Sequence, residues 1–169
     1  LAQDALGVAG APEIKALGIE TLVIACAGCY RMFKEEYPKY VDVPFKVQHM
    51  TEFLADRDLK LKPMKGVVTY HDPCHLGRHC DVYEPPREVI KKIPGLDFQE
   101  MEYNRKTSHC CGGGGGVRSA YPEESLKIAN TRLDEAAFAD LVITTCPFCV
   151  NNLSSGLYAG IRTTTFPIR

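Results

Sequence analysis

Seven of the eight cysteines stand in a pattern that can hold metal or move electrons: Cys26-Ala-Gly-Cys29, Cys74, Cys110-Cys111 and Cys146-Pro-Phe-Cys149. Four chemistries use such thiols: a disulfide framework, a zinc site, a redox dithiol and an iron–sulfur site. Disulfide-dense domains are usually short, secreted and poor in core. A chain of 169 residues, 45% of them hydrophobic, without a basic and apolar leader, does not read that way. A structural zinc ion takes four ligands, usually as two chelating pairs. Adjacent cysteines such as Cys110 and Cys111 project to opposite sides of an extended segment and chelate one ion poorly. They are well placed to reach different irons, or to bridge two. Five thiolates from Cys74 to Cys149 therefore suit a multi-iron cluster better than a single ion. The run Gly112-Gly113-Gly114-Gly115-Gly116 fits the same occupant, because glycine backbone approaches closely and aims its N–H groups at anionic sulfur. A helix opening at Cys146-Pro147 would add a positive dipole end. The closely spaced four-cysteine run of bacterial ferredoxins is absent. Cys80 falls outside the array and reads as a spare thiol.

These thiols need elements to position them. Thr21–Ala25, Gly66–Tyr70 and Leu141–Thr145 read as strands, being short, apolar and rich in β-branched residues; Phe45–Met50 is expected to be a further strand, and Asp97–Glu102 alternates like one. Helical segments lie between them. Residues 2–17 are Ala-rich but broken by Gly10 and Pro12, and YRMFKEEYPKY is stopped by Pro38. TEFLAD carries Thr51 as its expected N-cap, PPREVIKKI opens on prolines, and Pro122–Ala139 has apolar residues at helical spacing. Asn104–Gly116 reads as loop. Strands alternating with helices predict an α/β fold, a parallel β-sheet with crossover helices. Ligands collect beyond the carboxyl ends of strands in such sheets. Cys26, Cys74 and Cys146 each follow a strand, so most thiols are expected along one sheet edge. TLVIACAGC also aligns without gaps on LVITTCPFC, 120 residues later. This internal repeat predicts two related half-structures, 1–62 and 63–169, the first truncated. The start at Leu1 points the same way, to an excerpt of a longer protein.

Charge and hydropathy exclude other classes. Twenty Lys and Arg balance 21 Asp and Glu, so nothing favours nucleic acid or an anionic membrane surface. No apolar run approaches the roughly 18 residues of a membrane span. The expectation is a cytoplasmic chain with no direct membrane insertion.

HDPCHLGRH, HCCGGGGGVR and CPFC resemble the cysteine-rich CCG domain of heterodisulfide reductases and of related iron–sulfur subunits of glycolate and lactate oxidases. YHDPCHLGR, YEPPREVI and CPFCVNNL look most like the D-type subunit or its sulfate-reducer relatives, and the resemblance spans roughly residues 20–157. It implies that Cys74, Cys110, Cys111, Cys146 and Cys149 form a complete motif for a non-cubane [4Fe-4S] cluster. Gly112, Gly113 and Gly114 would lie against it. Cys26 and Cys29 correspond to the last pair of a second motif, which would hold part of another cluster or, in isolation, zinc. The implied function is a heterodisulfide reductase-like oxidoreductase subunit that takes electrons from a ferredoxin-like, haem or flavin partner and delivers them to a small disulfide or thiol substrate. The alternative is an electron-transfer subunit without substrate contact. Membrane association would come through a partner.

Other residues carry weaker signals. His71 and His109 flank the cysteines and are candidates to hydrogen-bond the cluster or its substrate; otherwise they are structural loop histidines. His75 and His79, four apart, could chelate a metal but lack a third ligand. Arg78, Lys106 and Arg118 could meet an anionic substrate, or be solvated charges. The glycine run carries no phosphate-loop lysine.

Overall fold

The computed structural model describes residues 11–156 and 162–164. After a first helix, α1 (Ala11–Ala16), strand β1 (Thr21–Ile24) leads into α2 (Ala27–Arg31). Strand β2 (Lys46–His49) runs into α3 (Met50–Ala55), and β3 (Gly66–Tyr70) is followed by the short α4 (Gly77–Cys80) and by α5 (Glu84–Lys91). Then come β4 (Leu96–Phe98), α6 (Val117–Ala120), α7 (Pro122–Glu135), β5 (Leu141–Ile143), α8 (Pro147–Ser154) and β6 (Arg162–Thr164). The fold is α/β, as the alternation predicts. All strand pairs among the described residues are parallel: β1 with β2 in one sheet, and β4-β3-β5-β6 in the other. No helix among the described residues is long and apolar enough to cross a membrane.

Register decides where the thiols go. Tyr70 pairs with Ile143, and the ladder continues one step further as the His71 amide donates to the Ile143 carbonyl at 2.9 Å. The loops carrying Cys74 and Cys146 therefore leave the sheet side by side. One apolar cluster joins Ala27, Tyr30, Phe45 and Val47 from the first segment to Leu76, Met101, Ala129 and Leu153 from the second. A smaller one packs Val68, Tyr70, Ile90 and Ile143.

Several boundaries differ from the sequence reading, each for a local reason. The cap of α3 is His49, not Thr51. The His49 Nδ1 accepts from the Thr51 amide at 3.3 Å, and the Glu52 carboxylate accepts from the His49 amide at 2.8 Å, so histidine fills the role usually taken by Ser or Asp. Pro38 does not end its helix abruptly. The chain widens into a π turn at Met32–Glu36 and then tightens into a 3₁₀ turn, Tyr37–Lys39, that contains the proline. Strand β4 is shorter than Asp97–Glu102, because Glu100 turns away to meet the Arg87 guanidinium at 2.6 Å. Helix α7 stops at Glu135, and Asp140 beyond it accepts from the Val67 amide at 2.8 Å. Helix α6 and a 3₁₀ turn at Arg105–Thr107 were not legible in the sequence. Of residues 2–17, those before Ala11 lie outside the described part.

His49 also joins the two segments. Its ring is buried, packs edge-on against Tyr30, and lies near the carbonyls of Ala25 and Thr145. Burial pushes its imidazole down to about 4. The unfolded ring binds its proton near pH 6.5, so between roughly pH 6.5 and 4 the unfolded chain holds more protons than the folded one. Folding stability should therefore fall as pH drops through this window, by at most about 1.4 kcal/mol per pH unit, and level off below it. Urea unfolding in a pH series should show a shallower slope for His49→Gln than for wild type; equal slopes would contradict this origin.

Candidate metal centre

Each cysteine group is presented by the end of an element. Cys26 caps α2, with its Sγ accepting from the Cys29 amide at 3.5 Å. Cys146 caps α8, whose first residue is Pro147. Cys74 follows β3, and Cys110-Cys111 ends the loop after the 3₁₀ turn. Cys74, Cys110, Cys111, Cys146 and Cys149 line one cavity of about 350 Å³, together with His75, Gly113, Gly114, Arg118 and Phe148 among others. Their side chains touch in series: Cys74 with Cys110, Cys110 with Cys111, Cys111 with Cys149, and Cys149 with Cys146.

The electrostatics of this row alternate. Hydrogen bonds from Cys111 and Cys74, helped by the Gly112 amide, hold the Cys110 thiol far below its ordinary value. Contact with Cys149, and amides at the start of α8, bring Cys146 down to about 6. Contact with Cys110 pushes Cys74 well up and Cys111 up to about 11. Contact with Cys111 and Cys146, together with burial, raises Cys149. A thiol row that already favours the anion at two positions suits metal ligation, which requires thiolates.

The glycines divide by position. The Gly112 amide lies 3.2 Å from the Cys110 Sγ, and the Gly113 amide 3.4 Å from the Cys111 Sγ. Gly112 has φ of 78°, and a Cβ there would meet the Ser125 carbonyl at 2.7 Å. A Cβ on Gly113 would meet the Phe148 carbonyl at 2.9 Å. Gly114 has open space around it. The backbone at 112 and 113 thus forms a tight cradle that a side chain would fill, while Gly114 only borders the cavity.

Cys26 and Cys29 contact each other, and Cys29 is raised by Cys26, by burial and by the nearby Cys146. They do not line the cavity, but Gly28 between them does, close to the His75 ring. His75 and His79 lie ring to ring, 5.3 Å between centroids, and only His75 reaches the cavity. His71 is buried, and a nitrogen of its ring lies within 4.8 Å of the sulfurs of Cys111 and Cys149. His109 is turned elsewhere: it stacks on Tyr103 and meets the Glu135 carboxylate. Arg118 lines the cavity and donates to the Asn152 Oδ1 at 3.0 Å, whereas Arg78 is held by the Ser108 carbonyl. Lys106 is exposed, 4.0 Å from Asp81. Cys80 packs against the apolar cluster away from the cavity.

Three buried polar groups that hold this site escaped the sequence reading. Asp72, two residues before Cys74, receives Arg87 through both terminal nitrogens at 2.7 and 2.8 Å, and the Arg105 amide at 2.8 Å. Asn152 on α8 donates to the Cys111 carbonyl at 2.6 Å. Arg132 on α7 donates through Nε to the His71 Nδ1 at 3.1 Å. The signal for Arg132 was present: it lies on the same helical face as the buried Ser125 and Ala129, where a solvated charge does not belong.

The segment that carries the five-thiol cavity, residues 68–154, matches the family model described as "Cysteine-rich domain", CCG. The chain belongs to the CCG family. It is 45% identical over 152 residues to the D-type subunit of the dihydromethanophenazine:CoB–CoM heterodisulfide reductase of Methanosarcina acetivorans, a match covering 85% of this chain and 37% of that protein. It is 46% identical over 144 residues to the B-type subunit of the fumarate reductase (CoM/CoB) of Methanothermobacter marburgensis, covering 83% and 29%. It is 37% identical over 156 residues to the EtfAB:quinone oxidoreductase of Syntrophomonas wolfei, covering 84% and 22%. This CCG chain thus spans little more than a third of the curated relatives it matches, or less.

Two substitutions test how the CCG site is held. Arg87→Met would leave Asp72 buried without its cation and should lower stability by about 3–5 kcal/mol in chemical denaturation; a loss under about 1 kcal/mol would contradict the role of the pair. Gly113→Ala should sharply reduce metal retention while Gly114→Ala leaves it unchanged, as measured by metal content after gel filtration.

Proposed function

We propose that this chain is the cluster-holding region of an iron–sulfur oxidoreductase subunit of the heterodisulfide reductase type. One observation carries the reading: five thiols from three separate segments of the chain line a single cavity. The occupant that fits is a multi-iron cluster, of the non-cubane [4Fe-4S] kind. A lone zinc ion would use four of these sulfurs and leave a fifth beside it. When bound, such a cluster supplies one-electron chemistry. The chain's share is to hold it through Cys74, Cys110, Cys111, Cys146 and Cys149. The amides of Gly112 and Gly113 neutralise thiolate charge, and the apolar cluster beneath keeps water out.

A small disulfide is the proposed electron acceptor: two electrons and two protons break its S–S bond, and two thiols are the products. The space next to the sulfurs, bordered by His75, Arg118 and Phe148, supports this, since it offers an aromatic face and a cation within one opening. Electrons would come from a ferredoxin-like, haem or flavin partner, and any membrane association would come through that partner. We further divide the chain into half-structures 1–62 and 63–169. Cys26 and Cys29 would contribute to a second cluster or hold zinc. The likeness to an EtfAB:quinone oxidoreductase favours a second reading, electron transfer without substrate contact.

Anaerobic assembly with iron and sulfide should give iron and acid-labile sulfide in equal amounts per chain. Changing any of the five cysteines to serine should lower both, and Cys80→Ser should not. One zinc per chain with no iron would defeat the proposal. A paramagnetic signal that changes on adding a small thiol supports substrate contact, and an unchanged signal supports the electron-transfer reading.

A further inference from the structure

Arg132 and His71 raise a question that the five thiols leave open. His71, Cys111 and Cys149 bring three potential ligand atoms within 4.8 Å of one another, all buried, which by itself suggests that His71 could join a metal. The hydrogen bonding answers otherwise. A guanidinium only donates, so the Nδ1 that takes the Arg132 Nε–H at 3.1 Å must carry its lone pair. A neutral ring then has its proton on Nε2. That nitrogen is buried and has no hydrogen-bond partner, which makes it the atom left to face the sulfurs. A nitrogen bearing a proton cannot ligate, but it can donate.

We infer that Arg132 fixes His71 as an Nε2–H donor toward the sulfur centre at Cys111 and Cys149, making it a positioning residue that tunes the centre and not a ligand to it. The inference rests on the iron–sulfur reading above. Both partners are locked before any cluster arrives. The His71 amide is tied to the end of β5 through the Ile143 carbonyl. Arg132 is 1% exposed and is held by the Glu135 carboxylate, the Tyr103 carbonyl at 2.9 Å and the Ser108 hydroxyl at 3.2 Å. Its cation cannot turn to another acceptor, so the ring cannot change tautomer without breaking this set. An N–H directed at sulfur stabilises the electron-rich, reduced cluster and raises its potential.

The test has two independent parts. In the metal-free, reduced chain, long-range ¹H–¹⁵N correlation should show His71 protonated at Nε2 and bare at Nδ1, and Arg132→Met should admit the other tautomer. A wild-type ring protonated at Nδ1 would overturn the inference whatever the fate of the iron–sulfur reading. In the iron-loaded chain, pulsed electron paramagnetic resonance should show a weakly coupled nitrogen and an exchangeable proton. His71→Leu should remove the imidazole share of both signals, leaving that of the Gly112 and Gly113 amides, and move the midpoint potential to a more negative value with iron content kept. His71→Gln, which restores a donor N–H, should recover part of the potential. Strong nitrogen coupling typical of direct ligation, an unchanged potential in His71→Leu, or loss of iron from both variants would each refute it. A wild-type chain that takes up no iron would sink the underlying reading and the tuning role with it.

Discussion

The pairing of Tyr70 with Ile143 in a parallel register is the constraint on which the site depends. It brings the carboxyl ends of β3 and β5 level, and the two loops that leave there have nowhere to go except beside each other. The loops of Cys74 and Cys146 thereby open onto the same cavity before any side chain is considered. A one-residue slip would turn every side chain of the strand to the opposite face, away from the buried cluster of Val68, Tyr70, Ile90 and Ile143. The apolar core thus enforces the register, and the register places the thiols.

The third group, Cys110-Cys111, has no strand to bring it in. It is fastened by polar contacts instead. Asn152 grips the Cys111 carbonyl, and Ser125 donates to the Gly112 carbonyl at 2.8 Å from α7. Asp72 gathers Arg87 and the Arg105 amide, which ties the start of the Cys74 loop to the turn that precedes Cys110. Buried ionic groups of this kind contribute little net stability, because desolvation offsets their attraction. Their value here is geometric: they fix loops that hydrophobic packing alone would leave with many equivalent positions.

How much of this could be read from the chain follows the same division. The strands GVVTY and LVITT, the helix after Pro147 and the gathering of cysteines beyond strand ends were legible, because β-branched runs and cysteine spacing are local signals. The buried polar fasteners were not. Arg87 looks like a surface charge until Asp72, 15 residues away, is brought within reach, and Arg132 stands out only by the buried face it shares with Ser125 and Ala129. His49 was hidden for a different reason: Thr51 is the better cap by propensity, and only the burial of the ring against Tyr30 makes histidine the one that serves. Gly112, Gly113 and Gly114 were expected against the cluster, yet a side chain would collide only at Gly112 and Gly113, while Gly115 and Gly116 suit glycine through their φ of 62° and 79°.

His49 has a mechanical corollary. Its ring sits near the carbonyls of both Ala25 and Thr145, the last residues before the two C-x-x-C turns. Both turns therefore begin against one buried ring, and Cys29 is close enough to Cys146 for their charges to interact. A substitution that shrinks this ring would therefore open space beneath both turns at once.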